Sequence, residues 1–110
     1  MIDIETHVFT QDLSAGALSF SYTFTRRMKL LQALFGMSGA ITQTLQIIHD
    51  ANEGGDYDSV IDSKSLSEAS DYVFRPAGEC VFEKGDKIAV TCTNATETES
   101  IFGKIQLGVL

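Results

Sequence analysis

The chain contains no tryptophan, one proline and two cysteines, and its 8 basic residues are outnumbered by 15 acidic ones. Each shortage removes a class of protein. Two cysteines are too few for a secreted disulfide framework and cannot by themselves complete a structural zinc site. Cys80 and Cys92 are therefore expected as free, buried thiols. A net charge of −7 argues against bulk attraction to nucleic acid or to an anionic membrane. No apolar run approaches the roughly 18 residues of a spanning helix. The opening residues, MIDIETHVFTQD, combine early acids with no long apolar stretch, unlike a secretory leader, so folding in a cytoplasm is expected.

What is present points to one β domain. A chain of 110 residues with 44% hydrophobic residues can bury a real core without staples. The clearest pattern is ALSFSYTFT, residues 17–25. Leu18, Phe20, Tyr22 and Phe24 fall on one face, and serines and threonines fall on the other. That period of two is a half-buried strand. Ile101, Ile105, Leu107 and Val109 keep the same phase near the end, as do Ile88, Val90 and Cys92 in DKIAVTCTN. AITQTLQIIHD places Ile41, Leu45 and Ile47 in phase, interrupted by Gln43, and THVFTQ, YDSVID and DYVFRP are shorter candidates. RRMKLLQALF fits either a helical stripe or a strand covered on both faces. It lies between two strong strands, and Arg26 and Arg27 would sit at the unfavourable end of a helix dipole, so a strand is expected.

The punctuation fits. Ala15-Gly16 separates the first two strands, and Gly36-Met37-Ser38-Gly39 is expected to break the third from the fourth. Lys84-Gly85 reads as a tight hairpin turn with Gly85 at positive φ. That register would pair Val81 with Ile88 and point Cys80 away from Cys92, disfavouring a disulfide. Residues 94–100 read as a polar turn, and since no leader is expected, the Asn94-Ala95-Thr96 sequon reads as incidental. About eight short strands without a long helix predict an all-β fold: a single antiparallel, jelly-roll-like β-sandwich over residues 1–110. Residues 1–12 are a plausible edge strand or extension used in assembly.

The most suggestive stretch is DANEGGDYD, residues 50–58. Counted as a calcium loop, Asp50, Asn52, Asp56 and Asp58 supply oxygens at positions 1, 3, 7 and 9, and Gly55 occupies position 6. Position 5 is Gly54, and position 12, which should hold a bidentate glutamate, is Ile61. The flanks read as strands, so the better reading is a connecting turn, with no metal and no cofactor expected. Residues 50–71 hold seven acids and one lysine, a balance of −6. Arg26, Arg27 and Lys29 form the only basic cluster, a candidate contact with an acidic neighbour against the plainer reading of a solvated strand end. His7 and His49 lack a second ligand at metal spacing, and no nucleophile motif, dinucleotide fingerprint or phosphate loop occurs. No enzyme is expected.

The order RRMKLLQALF, ITQTLQI, a Gly/Asp loop with YDSVI, DYVFRP, VFEKGDKIAVTCTN and a terminal GKIQLGVL resembles small β-sandwich virion proteins of tailed bacteriophages and prophages, over roughly residues 17–110. The resemblance implies a non-enzymatic structural subunit, such as a capsid decoration, fibre-associated or connector-like component. Such a protein would be made in the bacterial cytoplasm and carried in the virion. Its partners would be copies of itself and other virion proteins. The alternative is a ligand- or glycan-binding module at a tail tip, for which Tyr57 and Tyr72 are the candidate exposed rings.

Overall fold

The computed structural model describes residues 3–93 and 99–110. Its strands are β1 (Ile4–Asp12), β2 (Leu18–Thr23), β3 (Met28–Ile41), β4 (Thr44–Asp50) and β5 (Ser59–Ser65). They continue with β6 (Ala69–Phe74), β7 (Val81–Phe82), β8 (Lys87–Cys92) and β9 (Ser100–Val109). All pair antiparallel in two sheets. The five-stranded sheet runs β1-β9-β3-β6, with β7 pairing the start of β3, and the four-stranded sheet runs β2-β8-β4-β5. The result is the expected all-β, jelly-roll-like sandwich, open at its sides.

The core follows from alternation. Leu18 and Phe20 of β2 face inward with Ile88, Val90 and Cys92 of β8 and with Leu45 and Ile47 of β4. The facing layer comes from Met28, Leu30, Ala33 and Phe35 of β3 and from Ile101, Ile105 and Leu107 of β9. Phe24 and Phe82 stack between the layers with centroids 4.5 Å apart. The ambiguous basic run is a strand, as expected, paired with β9 on one edge and β6 and β7 on the other, but only one of its faces is covered: Met28, Leu30, Ala33 and Phe35 point into the core and Leu34 points outward. Gly103 lies opposite Phe9, whose ring covers it so closely that an added Cβ would come within 2.1 Å. Only glycine leaves room for that ring, which stacks on Phe20 at 4.2 Å.

Two sequence expectations fail. Gly36 to Gly39 do not end the third strand. β3 runs through to Ile41, so Ile41 ends the third strand instead of sharing the fourth with Leu45 and Ile47, and a register shift between Gly36 and Ile41 absorbs the irregularity. Lys84-Gly85 does not close a hairpin either. Val81 and Phe82 pair with Lys29 and Met28, whereas β8 pairs with β2 and β4, so the turn carries the chain from one sheet to the other. Gly85 does take a positive φ, of 94°, with the Asn52 side chain packed 2.9 Å from where a Cβ would stand. Both thiols are free: Cys80 precedes β7, which pairs with β3 of the five-stranded sheet, and Cys92 ends β8 of the other sheet. Cys92 is buried and Cys80 is half-buried. Burial pushes both thiols up in pKa, which keeps them unreactive. The sequon lies outside the described residues.

Candidate interaction surface

The outer face of the five-stranded sheet is built by register. Val8 of β1, Lys104 of β9, Leu34 of β3 and Val73 of β6 form one cross-strand row. The next row holds Thr10, Phe102, Gly36 and Asp71, and the row on the other side holds Thr6, Gln106 and Gln32. Val8, Leu34, Val73 and Phe102 of the first two rows line an open groove of about 560 Å³, with Asp71 at its β6 border. Val8 is 70% exposed, Phe102 53% and Val73 44%, large values for side chains that gain by leaving water. Gly36 forms part of the floor, and a Cβ added there would touch nothing within 4 Å. Lys104 is the one charged side chain lining the groove, and among the described residues it has no carboxylate partner. The polar edge of the groove is knit by a Gln32–Gln106 hydrogen bond and by Arg75 Nε donating to Gln32 Oε1 at 3.1 Å.

Sequence reasoning missed this surface because its residues are far apart in the chain. Each strand nevertheless carried a signal. Alternation breaks at Val8-Phe9, at Leu34-Phe35, at Val73 between Tyr72 and Phe74, and at Ile101-Phe102. In each case one residue of the run faces the core and the other faces the groove.

The titratable groups in the interior serve the fold. Asp86 is only 3% exposed. Its carboxylate accepts from the Asn52 N–H at 2.9 Å, the Glu83 N–H at 2.9 Å and His49 Nε2 at 2.8 Å. Burial alone would raise its pKa, but the two backbone donors and His49 outweigh burial and hold it below the usual carboxylate value. His49 also packs on Phe82, with ring centroids 4.3 Å apart. The other histidine, His7, packs on Tyr22 with ring centroids 4.2 Å apart, and its Nε2 lies 3.5 Å from Glu5 Oε2.

The sites expected from sequence come out as follows. Asp50 ends β4 opposite Lys87. Asn52 gives its N–H to Asp86, and Asp58 accepts the Ala51 N–H at 2.8 Å. Asp56 lies in the exposed 3-10 turn Gly55–Tyr57. The loop is a hydrogen-bonded turn, and among the described residues no group of three or more His, Cys, Asp or Glu is arranged to hold a metal. Arg26 pairs with Glu5 at 3.1 Å and Arg27 with Glu83 at 2.8 Å, so two members of the basic cluster already have partners within the chain. Lys29 stands on the outer face, opposite Gly108 and Val81. The two candidate tyrosines do not form a platform. Tyr57 is exposed, but Tyr72 turns inward, stacks on Phe35 and donates to Asp62 Oδ2 at 2.5 Å. Its place in the alternation of β6 fixes that direction.

No family model matches the sequence, and no curated protein is similar enough in sequence to count as a relative. Solved structures do share the fold. The core of Drosophila NLP, in a structure giving insight into pentamer formation and histone binding, matches with a TM-score of 0.50 and 12% identity, covering 94% of this chain and 97% of that one. A mutant VP2 protein of infectious bursal disease virus, in derived T=1 particles, matches with a TM-score of 0.52 and 10% identity, covering 98% of this chain. The chain spans 32% of the length of that VP2. At such identities the likeness is one of fold: a jelly-roll-like sandwich shared with a viral capsid protein and with a core described in terms of a pentamer.

Proposed function

We propose that the protein is a non-enzymatic structural subunit that works by joining copies of itself and neighbouring proteins, as a capsid-decoration or tail/connector component of a bacteriophage virion. The observation that carries this reading is the exposed apolar groove on the outer face of the five-stranded sheet, beside the edge strand β1. Such a face costs free energy in water and is stabilised when covered. The fold likenesses support the reading, since both come from chains described in assemblies, a pentamer and a T=1 particle. Its placement in a phage particle rests on the strand order read from sequence. Edge strand β1 offers unpaired backbone groups for strand addition, and Lys29, on the same outer face and without a carboxylate partner among the described residues, is the member of the basic cluster left to meet an acidic neighbour. Buried Asp86 and half-buried Tyr72 spend their side-chain hydrogen bonds on His49 and Asp62 of the four-stranded sheet, which fits a structural role.

The experiment is light scattering of the purified protein, alone and after addition to particles that lack it. Assembly into a defined oligomer, or uptake in many copies by the particles, is expected. A strict monomer that never joins the particles overturns the reading. Glycan binding by such a monomer would favour the tail-tip module, although Tyr72 is no longer available as a second exposed ring.

A further inference from the structure

The groove has a complement on the same molecule, on the other side of the sandwich. The outer face of the four-stranded sheet is mostly serine, threonine and glutamine: Ser19, Ser21 and Thr23 on β2, Thr91 on β8 and Gln46 on β4. Its apolar exception is the cross-strand row Ala89, Ile48 and Val60. Val60 is 54% exposed, and Tyr57, three residues earlier in the turn, is 68% exposed. Tyr57 is flanked by Asp56 and Asp58. The molecule therefore carries two exposed apolar surfaces: a groove whose lining holds one charged side chain, Lys104, with Asp71 on the same face at its β6 border, and an exposed turn in which Tyr57 lies between two carboxylates.

Building on the assembly reading above, we infer that the groove between Val8, Leu34, Val73 and Phe102 receives the Tyr57–Val60 segment of a second copy of this chain, with Lys104 facing Asp56. The charges select the occupant. A bare amine in an apolar groove calls for an apolar group with a carboxylate beside it, and the GDYDSV segment presents that combination on an exposed turn. The Lys104 stem can lie along Leu34 and Val8 while its ammonium reaches the carboxylate. The two surfaces lie on the outer faces of different sheets, so the contact is head-to-tail. Each copy uses its groove once and its turn once, and such contacts close into rings or run on as filaments. Apolar burial supplies most of the affinity, and the exposed charge pair chiefly sets the register.

Complementation of two defective variants, followed by analytical ultracentrifugation, tests the inference. Gly36→Leu fills the groove from a position where an added Cβ meets nothing, and Tyr57→Ser removes an exposed ring, so both should retain the native circular dichroism spectrum. Each alone should weaken self-association by about tenfold or more, as loss of a central apolar anchor does. Mixed together they should form a discrete heterodimer, since one keeps an intact turn and the other an intact groove. Lys104→Glu and Asp56→Lys should each weaken association roughly two- to fivefold, and the double exchange should restore it. A wild type that assembles but is indifferent to these changes, or variants that fail to complement, overturns this contact and leaves the assembly reading intact. Occupation of the groove by a fatty acid with no effect on assembly overturns it in favour of a small amphiphile. A chain that is monomeric at every concentration and never joins a particle overturns both.

Discussion

Asp86 and Asp62 each use a carboxylate to tie the two sheets of the sandwich, in opposite surroundings. Asp86 sits at the corner where the chain passes from β7 to β8, almost fully buried, and accepts from three donors. Asp62 stands on edge strand β5 and bridges the open side through one bond, from the Tyr72 hydroxyl of β6. The corner also holds the chain itself: the Phe24 N–H donates to the Asp86 carbonyl at 2.8 Å, and the Gly85 N–H to the Phe24 carbonyl at 2.8 Å. A buried carboxylate that satisfies several backbone donors cannot be removed without stranding them, whereas a half-exposed bridge can be replaced by water. The corner is thus a fixed point of the fold, and the β5/β6 side is the side that opens more easily.

Replacing Asp86 with alanine should break the comparison most severely. Two N–H groups and His49 lose their acceptor together, and a loss of about 3–5 kcal/mol is expected, read by urea denaturation. The pH dependence has a definite sign. The folded pKa of Asp86 is depressed, so its contribution is complete above the unfolded value near 3.9 and disappears as pH falls through the folded value. Asp86→Asn should flatten that acid limb. A variant within about 1 kcal/mol of the parent would show that the corner is not a fixed point of the fold.

Replacing Tyr72 with phenylalanine should cost less, about 1 kcal/mol, because one hydrogen bond is lost and Asp62 can turn to water. Burial and the Asp62 carboxylate push the Tyr72 hydroxyl up to about 12. Its contribution is therefore complete below the unfolded value near 10 and fades as pH rises from there toward 12. The alkaline midpoint of unfolding should fall less steeply in Tyr72→Phe. Amides of β5 and β6 should exchange with deuterium before those of β4 and β8, and the reverse order would undo the contrast between the two sides.

Glu5 is the milder counterpart on the β1/β2 side. It accepts from Arg26 at 3.1 Å and from Tyr22 at 3.3 Å, and Arg26 is the main reason its carboxyl lies below the usual value. Its side chain is about a third exposed, and that side is closed chiefly by Phe9 stacked on Phe20. Glu5→Gln should cost less than about 0.5 kcal/mol, an effect confined to pH above the carboxylate range. A larger loss in thermal melts would give the ion pair a weight that the stacked rings now carry.

Much of this architecture was legible, and the misses share one cause. The inward faces of β2, β8 and β9 could be read because their alternation is local to each strand. The corner could not, because nothing near Lys84-Gly85 says which sheet receives the next strand, and a tight hairpin is the commoner use of such a turn. Asp86, His49 and Asn52 meet only after that choice is made. The groove is hidden for the same reason: Val8, Leu34, Val73 and Phe102 become neighbours through the order β1-β9-β3-β6. Broken alternation marked each of them singly, without showing that they share a face. The acidic loop is local enough to be legible, since Asn, Gly and Asp at those spacings specify turn geometry whatever the sheet order.

Calcium should have the smallest effect of all, and here the comparison with Asp86 is most useful. An aspartate can spend its oxygens on backbone donors or on a cation. Asp58 already accepts the Ala51 N–H, Asn52 gives its own N–H to Asp86, and Asp56 lies apart on the exposed turn. Gathering them around an ion would mean dismantling the bonds that shape the turn, with Ile61 where the strongest ligand is needed. A ligand that binds only the native state raises stability by RT ln(1 + [L]/Kd), so a dissociation constant well above the working concentration leaves almost no trace. Millimolar calcium against EDTA should therefore leave the melting temperature unchanged to within about a degree. A rise of many degrees, abolished in Asp56→Ala but kept in Asp86→Asn, would show that the loop reorganises around a cation and that its turn geometry is only the metal-free arrangement.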